Sequence, residues 1–111
     1  MAGRAAEAAG PVVCERRGLI SVARTLARVH ALYGRMLGLE VPAIAAVNGH
    51  AFAAGAMLAL AFGQIVMPED RGYFCLPEAD LGLPFTPGMN ALTSARLSPP
   101  AAHEAMVLAR R

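Results

Sequence analysis

Two short segments carry residue types from which catalysis could be built. The first is Ala53-Ala54-Gly55, three small residues that open a helix soon after an Asn48-Gly49 turn. A helix N-terminus has unpaired N–H groups and a partial positive charge. Side chains this small let a ligand approach the backbone, so such a start can hold an anion or a developing oxyanion. Close packing of a helix on a strand asks for the same small residues. The second segment is Leu76-Pro77-Glu78. Proline cannot donate to a sheet ladder, so a strand ends at Pro77 and leaves Glu78 at its tip. Ala79-Asp80-Leu81-Gly82-Leu83 come next. A carboxylate held among apolar neighbours has a raised pKa and suits proton transfer. A solvated loop glutamate would have the same local sequence.

The elements that must position these groups are read from periodicity and punctuation. Residues 1–18 show no period and read as an unstructured or irregular tail. From Leu19 to Leu39 the period is helical, with Val22, Leu26, Val29, Tyr33, Met36 and Leu37 on one face. Arg24, Arg28 and Arg35 share another face, either solvated or in contact with a phosphate-bearing ligand. Gly38 and Pro42 end this helix. Ala43–Val47 is a short apolar run that fits a buried strand, and Asn48-Gly49 favours positive φ in the turn after it. Ala53–Leu60 is rich in helix formers. Gln64–Met67 and Tyr73–Leu76 read as strands around a Pro68–Gly72 turn. Leu81–Pro87 is a loop, and Gly88–Leu97 a short helix. Ser98-Pro99, a capping serine followed by proline, opens a last helix running towards the C-terminus. The alternation implies a layered α/β architecture. Three short strands are thin for it, so strands are expected to be missing, before residue 19 above all. No internal repeat is visible.

Composition narrows the function classes. At 111 residues the chain is one domain at most. It is 56% hydrophobic and 16% charged, against about a quarter charged in typical domains. A surface this apolar invites a partner. A net charge of +2, with no basic run interleaved with aromatics, argues against nucleic acid. The longest apolar run, Ala51–Gly63, is shorter than the ~18 residues that span a bilayer. Cys14 and Cys75 lack metal-ligand spacing and suit a reduced, intracellular protein. The start, MAGRAAEAAG, is faintly like a transit peptide, but Glu7 and Glu15 weaken that reading and no secretory apolar region comes after it.

Taken together, VPAIAAVNGHAFAAGAMLAL (Val41–Leu60) and DRGYFCLPEADLGLP (Asp70–Pro84) resemble the crotonase family, the enoyl-CoA hydratases and isomerases. The resemblance covers roughly Val41 to Arg111 and, more loosely, the preceding helix. Its most specific pieces are strand–NGHA–xAAG–helix at Ala43–Gly55 and P-E-x-x-L-G at Pro77–Gly82. It implies a crotonase-like (ClpP/crotonase) α/β fold, a ββα superhelix truncated at both ends and lying within residues 19–111. It also implies an acyl-CoA substrate, no cofactor or metal, no nucleic-acid or membrane partner, and a trimer-type homo-oligomer when complete.

The family polarises a thioester carbonyl with two backbone N–H groups. One of them matches Ala54, and Ala53, Gly55, Met57, Leu83 and Pro84 fall at substrate-binding positions. The family's hydratases carry one glutamate at the position of Met57 and a second at that of Glu78. A thioether is a weak acceptor with no donor, so it cannot manage a water molecule. An apolar residue there with the second glutamate kept is similar to the Δ3,Δ2-enoyl-CoA isomerases of fatty-acid β-oxidation. Glu78 would then take a proton from C2 of a 3-enoyl-CoA and return it at C4. The DRG at Asp70–Gly72 is also like isomerase sequences, those of plants included.

Two departures stand out. Gly63 replaces a usual aspartate, so the packing there is expected to differ. Nothing in residues 1–18 resembles the strands that bear the second oxyanion donor. The alternative is a truncated, non-catalytic crotonase-like chain that acts as an interaction or assembly partner. A hydratase is disfavoured by Met57. The expected location is cytoplasmic, or peroxisomal or mitochondrial in a eukaryote.

Overall fold

The structure, a computed structural model, describes residues 17–111 in full and residues 2–16 only as part of the first helix. The side chains of Glu7, Cys14 and Glu15 therefore lie outside the description, and from Ala2 on the expected tail (residues 1–18) falls within the first helix. Two compact units are present, residues 1–31 and residues 32–111. Helix α1 (Ala2–Leu37) supplies the first and continues into the second. Of the apolar face expected on it, Val22 and Leu37 are exposed, Leu26, Val29 and Met36 are half-buried, and Tyr33 is buried. Arg24, Arg28 and Arg35 are exposed.

In the second unit the elements after α1 are β1 (Ile44–Ala46), β2 (Ala51–Phe52), α2 (Ala54–Leu60), β3 (Gln64–Val66), β4 (Phe74–Cys75), α3 (Pro87–Arg96) and α4 (Pro99–Met106). β1 pairs with β3 in parallel, Ile44 opposite Gln64 and Ala46 opposite Val66. β2 pairs with β4 in parallel, Ala51 opposite Phe74 and Phe52 opposite Cys75. The order strand–strand–helix thus occurs twice, and each strand of the first pass pairs with its counterpart in the second. This is the layered α/β arrangement that the alternation implied.

β2 is the element that the sequence does not announce. Two residues are too few to show a period. The strand is held by backbone bonds from Ala51 N–H to the Tyr73 carbonyl (2.8 Å) and from Ala53 N–H to the Cys75 carbonyl (2.9 Å). The Asn48-Gly49 expectation also changes. Neither residue has positive φ; the left-handed backbone falls on Gly72 (φ 83°) instead. A Cβ on Gly72 would collide with the Gly49 carbonyl, so the two loops meet backbone to backbone. The contact is tied by Arg71, which donates to Asn48 Oδ1 (2.8 Å), and by Tyr73 N–H, which donates to His50 Nδ1 (3.1 Å).

The core lies between α2, α3 and β2–β4. Ala56, Met57, Ala59 and Leu60 on α2 are buried, with Cys75 in β4, Leu76 just after it, and Met89, Leu92 and Thr93 on α3. Arg96, in the last turn of α3, closes the end of α2. Its Nε donates to the Leu60 carbonyl (3.0 Å), and its Nη2 to the carbonyls of Phe62 and Gly63. These are carbonyls that a helix end and its exit loop leave without intrahelical partners. Gly63 itself donates to the Ala43 carbonyl (3.1 Å), and a Cβ there would stand 3.3 Å from that oxygen. The strand therefore approaches closely where the family usually has an aspartate.

Both proline-led helices are capped. Thr86 Oγ1 accepts from Met89 N–H (3.3 Å), and Ser98 Oγ accepts from Ala101 N–H (3.4 Å). α3 starts at Pro87, one residue before the expected Gly88, because Thr86 is its cap. α4 ends at Met106 short of the C-terminus, and Ala109 is left-handed (φ 46°).

Candidate active site

Because β2 and β4 run parallel, their C-terminal ends open on the same side. The segments that leave the two strands are thereby brought together, at the edge where α/β proteins place their sites. After β2 the chain turns at Ala53, whose φ of 48° and ψ of −119° are unusual for a residue with a Cβ. This strained residue is pinned on both sides: its N–H donates to the Cys75 carbonyl, and its carbonyl accepts from Met57 N–H (3.0 Å). α2 thus begins on an alanine cap that offers no side-chain acceptor. Met57 supplies the first intrahelical donor, so the N–H groups of Ala54, Gly55 and Ala56 precede it. Ala54 and Gly55 are exposed.

After β4, Leu76 is fully buried and Pro77 ends the ladder. A tight turn then folds the carboxyl of Glu78 inward. The turn is fixed by Leu81 N–H to the Pro77 carbonyl (3.1 Å), by Leu83 N–H to the Glu78 carbonyl (2.8 Å), and by Gly82 at φ 67°. Glu78 is only 8% exposed. Its Oε2 is buried with no hydrogen-bond partner among the described residues. Unsatisfied buried polar atoms are rare in folded proteins, and functional sites are one place where they persist. The solvated-loop reading of this glutamate does not hold.

The sequence places Tyr33 only among six residues on a helix face. In the structure it is 5% exposed, and its hydroxyl donates to the Ala54 carbonyl at 2.8 Å. Burial, and secondarily the negative charge of Glu78, pushes its pKa up. The phenol therefore bonds to the start of α2 and feels the carboxylate after β4. The available signal was the hydroxyl itself: a tyrosine buried among aliphatics must find a partner for its O–H.

The remaining sequence-derived positions divide. Ala53, Ala54, Gly55 and Glu78 flank the two strand ends. Met57 lies one turn into α2 with no exposed surface, and Ala53 is half-buried. Leu83 and Pro84 are exposed beyond the Glu78 turn. An open apolar cavity of about 300 Å³ lies over β1 and α2. Gly55 and Leu58 stand in its wall, whereas Glu78 is not among its lining residues. Among the described residues no three His, Cys, Asp or Glu side chains come together as a metal site. No described helix is long and apolar enough to cross a membrane. A buried carboxylate after one strand and the N–H groups of a helix start after its paired strand can together move a proton on a substrate whose developing negative charge those groups hold.

Known proteins match this chain over the same segments. The family model described as enoyl-CoA hydratase/isomerase matches residues 12–111, further towards the N-terminus than the motifs reach. The peroxisomal enoyl-CoA delta isomerase 2 of Arabidopsis thaliana is 41% identical over 73 residues, covering 66% of this chain and 30% of that protein. The peroxisomal enoyl-CoA delta isomerase 1 of the same plant is 34% identical over 82 residues, 74% of this chain and 34% of that protein. A carnitinyl-CoA dehydratase of Proteus mirabilis is 42% identical over 77 residues, covering 68% of this chain and 29% of that protein. The matched part thus spans about a third of the length of these relatives. With its family match running through all of β1–α4, the chain belongs to the enoyl-CoA hydratase/isomerase (crotonase) family.

Proposed function

We propose that the site serves a Δ3,Δ2-enoyl-CoA isomerase of fatty-acid β-oxidation, with Glu78 as the sole proton shuttle. The thioester oxygen of a 3-enoyl-CoA sits against the Ala54 N–H, with Ala53, Gly55, Leu83 and Pro84 around the acyl group. Glu78 removes a proton from C2. The electron pair delocalises into a dienolate whose oxyanion the N–H group holds. The same carboxyl then returns the proton at C4, leaving the double bond at C2–C3. No cofactor takes part in this scheme, since every electron stays within the substrate. An oxyanion donor of this kind is worth roughly 10²–10³ in rate.

The observation that carries the reading is Glu78: buried, with one oxygen unpartnered among the described residues, just past the end of the strand that pairs with β2, from which α2 starts. Met57 supports isomerisation over hydration, because a buried thioether leaves no second group to position water. The similarity to two plant isomerases supports it as well. In the same reading, β1–β2–α2 and β3–β4–α3 are two turns of a ββα superhelix. The whole protein is a trimer-type oligomer without nucleic-acid or membrane partners, and it works in the peroxisome, mitochondrion or cytoplasm. The test is conversion of a 3-enoyl-CoA by the wild-type chain and by Glu78→Gln. Loss of turnover in the variant supports the assignment; equal rates overturn it.

A second reading has its own observation. Val41, Ile44 and Val66, on and beside the β1–β3 sheet, are 65%, 57% and 58% exposed. An apolar sheet face of this kind suits a non-catalytic crotonase-like chain that works as an interaction or assembly partner. A folded oligomer in gel filtration that binds no acyl-CoA favours it; turnover by the isolated chain excludes it.

A further inference from the structure

Among the described residues, the buried phenol of Tyr33 is an ionisable group that the isomerase scheme leaves unused, and it bonds directly to the start of α2. Its hydroxyl reaches the carbonyl of Ala54 at 2.8 Å. That carbonyl belongs to the first residue of α2, so in the helix it also accepts the N–H four residues on. The Tyr33 bond is therefore an extra one, and it acts on the peptide that joins Ala54 to Gly55. A second bond on a carbonyl polarises its peptide and makes the N–H of that unit a stronger donor. The bond also holds the α2 start from outside the helix. The cap itself contributes little, since Ala53 has no side-chain acceptor and adopts an unfavourable backbone conformation.

On the other side stands Glu78. The β2–β4 register and the 2.9 Å bond from Ala53 N–H to the Cys75 carbonyl bring the two strand exits together. The carboxyl of Glu78 has one buried oxygen with no partner among the described residues. We propose that Tyr33 is a positioning residue of this site, fixing the Ala54–Gly55 peptide at the start of α2 relative to the buried carboxyl of Glu78. The inference rests on the isomerase reading of the site. The upward shift of the Tyr33 pKa agrees with this placement, with burial as its first cause and Glu78, the charged group acting on the phenol, as its second.

The test uses the chain with Tyr33→Phe, Glu78→Gln and a Tyr73→Phe background. The chain has two tyrosines, so in that background the alkaline absorbance change reports Tyr33 alone. It titrates above 10.0, and adding Glu78→Gln lowers the midpoint. Tyr33→Phe lowers kcat for a 3-enoyl-CoA about tenfold while KM stays within about twofold. It also speeds amide exchange at Gly55 and Ala56, and the melting curve stays cooperative. A Tyr33 midpoint that ignores Glu78→Gln overturns the placement. Wild-type kcat in Tyr33→Phe, with Glu78→Gln inactive, overturns the positioning role alone. Full activity of Glu78→Gln overturns the isomerase reading instead. Should the wild-type chain turn nothing over, the amide exchange decides: no change in Tyr33→Phe refutes the inference, and faster exchange confined to the α2 start upholds it.

Discussion

Substituting Met57 by glutamate exchanges a thioether for a carboxyl at a position with no exposed surface. The change restores the residue type that the family's hydratases carry there. Around it, Ala56, Leu60 and Leu76 are at most 2% exposed, so the side chain enters a closed apolar environment. An ionised carboxylate without a partner is not kept in such a place; it takes up a proton instead. Leaving an uncompensated charge buried costs about 3–5 kcal/mol, a large part of the roughly 5–15 kcal/mol that holds an ordinary domain together. This sets the sign of the pH dependence. In Met57→Glu the introduced carboxyl has a folded-state pKa above its unfolded value near ~4.3. Its deficit is smallest below that unfolded value and grows as pH rises through the folded-state one. Urea unfolding of the wild type, Met57→Glu and Met57→Leu between pH 4 and pH 7 measures this. Met57→Leu, which keeps volume and polarity, stays within about 1.5 kcal/mol of the wild type. Met57→Glu is close to the wild type at low pH and falls progressively behind it towards neutrality, and it gains no hydration of a 2-enoyl-CoA. A variant as stable as the wild type at pH 7, or one that hydrates 2-enoyl-CoA, refutes the reasoning and turns position 57 towards the substrate.

Other substitutions test the supports of the site. Arg96→Ala removes three bonds to the carbonyls of Leu60, Phe62 and Gly63, two of them solvent-facing. It lowers stability by about 1–2 kcal/mol in urea unfolding and lifts hydrogen-exchange protection at the end of α2 first. Gly72→Ala meets both a positive φ and the Gly49 carbonyl. It lowers the melting temperature by more than Gly55→Ala does, since nothing lies within 4 Å of a Cβ at Gly55.

What was legible in the sequence was what local chemistry decides. Ser98-Pro99 announced a capped helix, and the cap is made by the Ser98 hydroxyl. Pro77 announced the end of a strand, and β4 stops at Cys75 just before it. Glu78 could be singled out from its flanks, but the sequence could not tell a solvated loop from a buried carboxyl. The turn through Leu83 N–H and Gly82, which follows the buried Leu76, decides that. The rest was illegible because it is made by residues far apart in the chain. β2 exists only through its bonds to β4. Arg96 reaches carbonyls more than thirty positions away, and Tyr33 bonds to a carbonyl 21 positions on. The positive φ expected at Asn48-Gly49 moved to Gly72 for the same reason: the crossing of two loops, and not the Asn-Gly pair, sets where left-handed backbone is needed.

The central claim, a single glutamate carrying the proton between C2 and C4, is tested most directly with a 3-enoyl-CoA deuterated at C2. The wild-type chain is predicted to deliver part of that deuterium to C4 of the 2-enoyl product, read by mass spectrometry, and Glu78→Gln to form no product. Product formed by Glu78→Gln at the wild-type rate contradicts it.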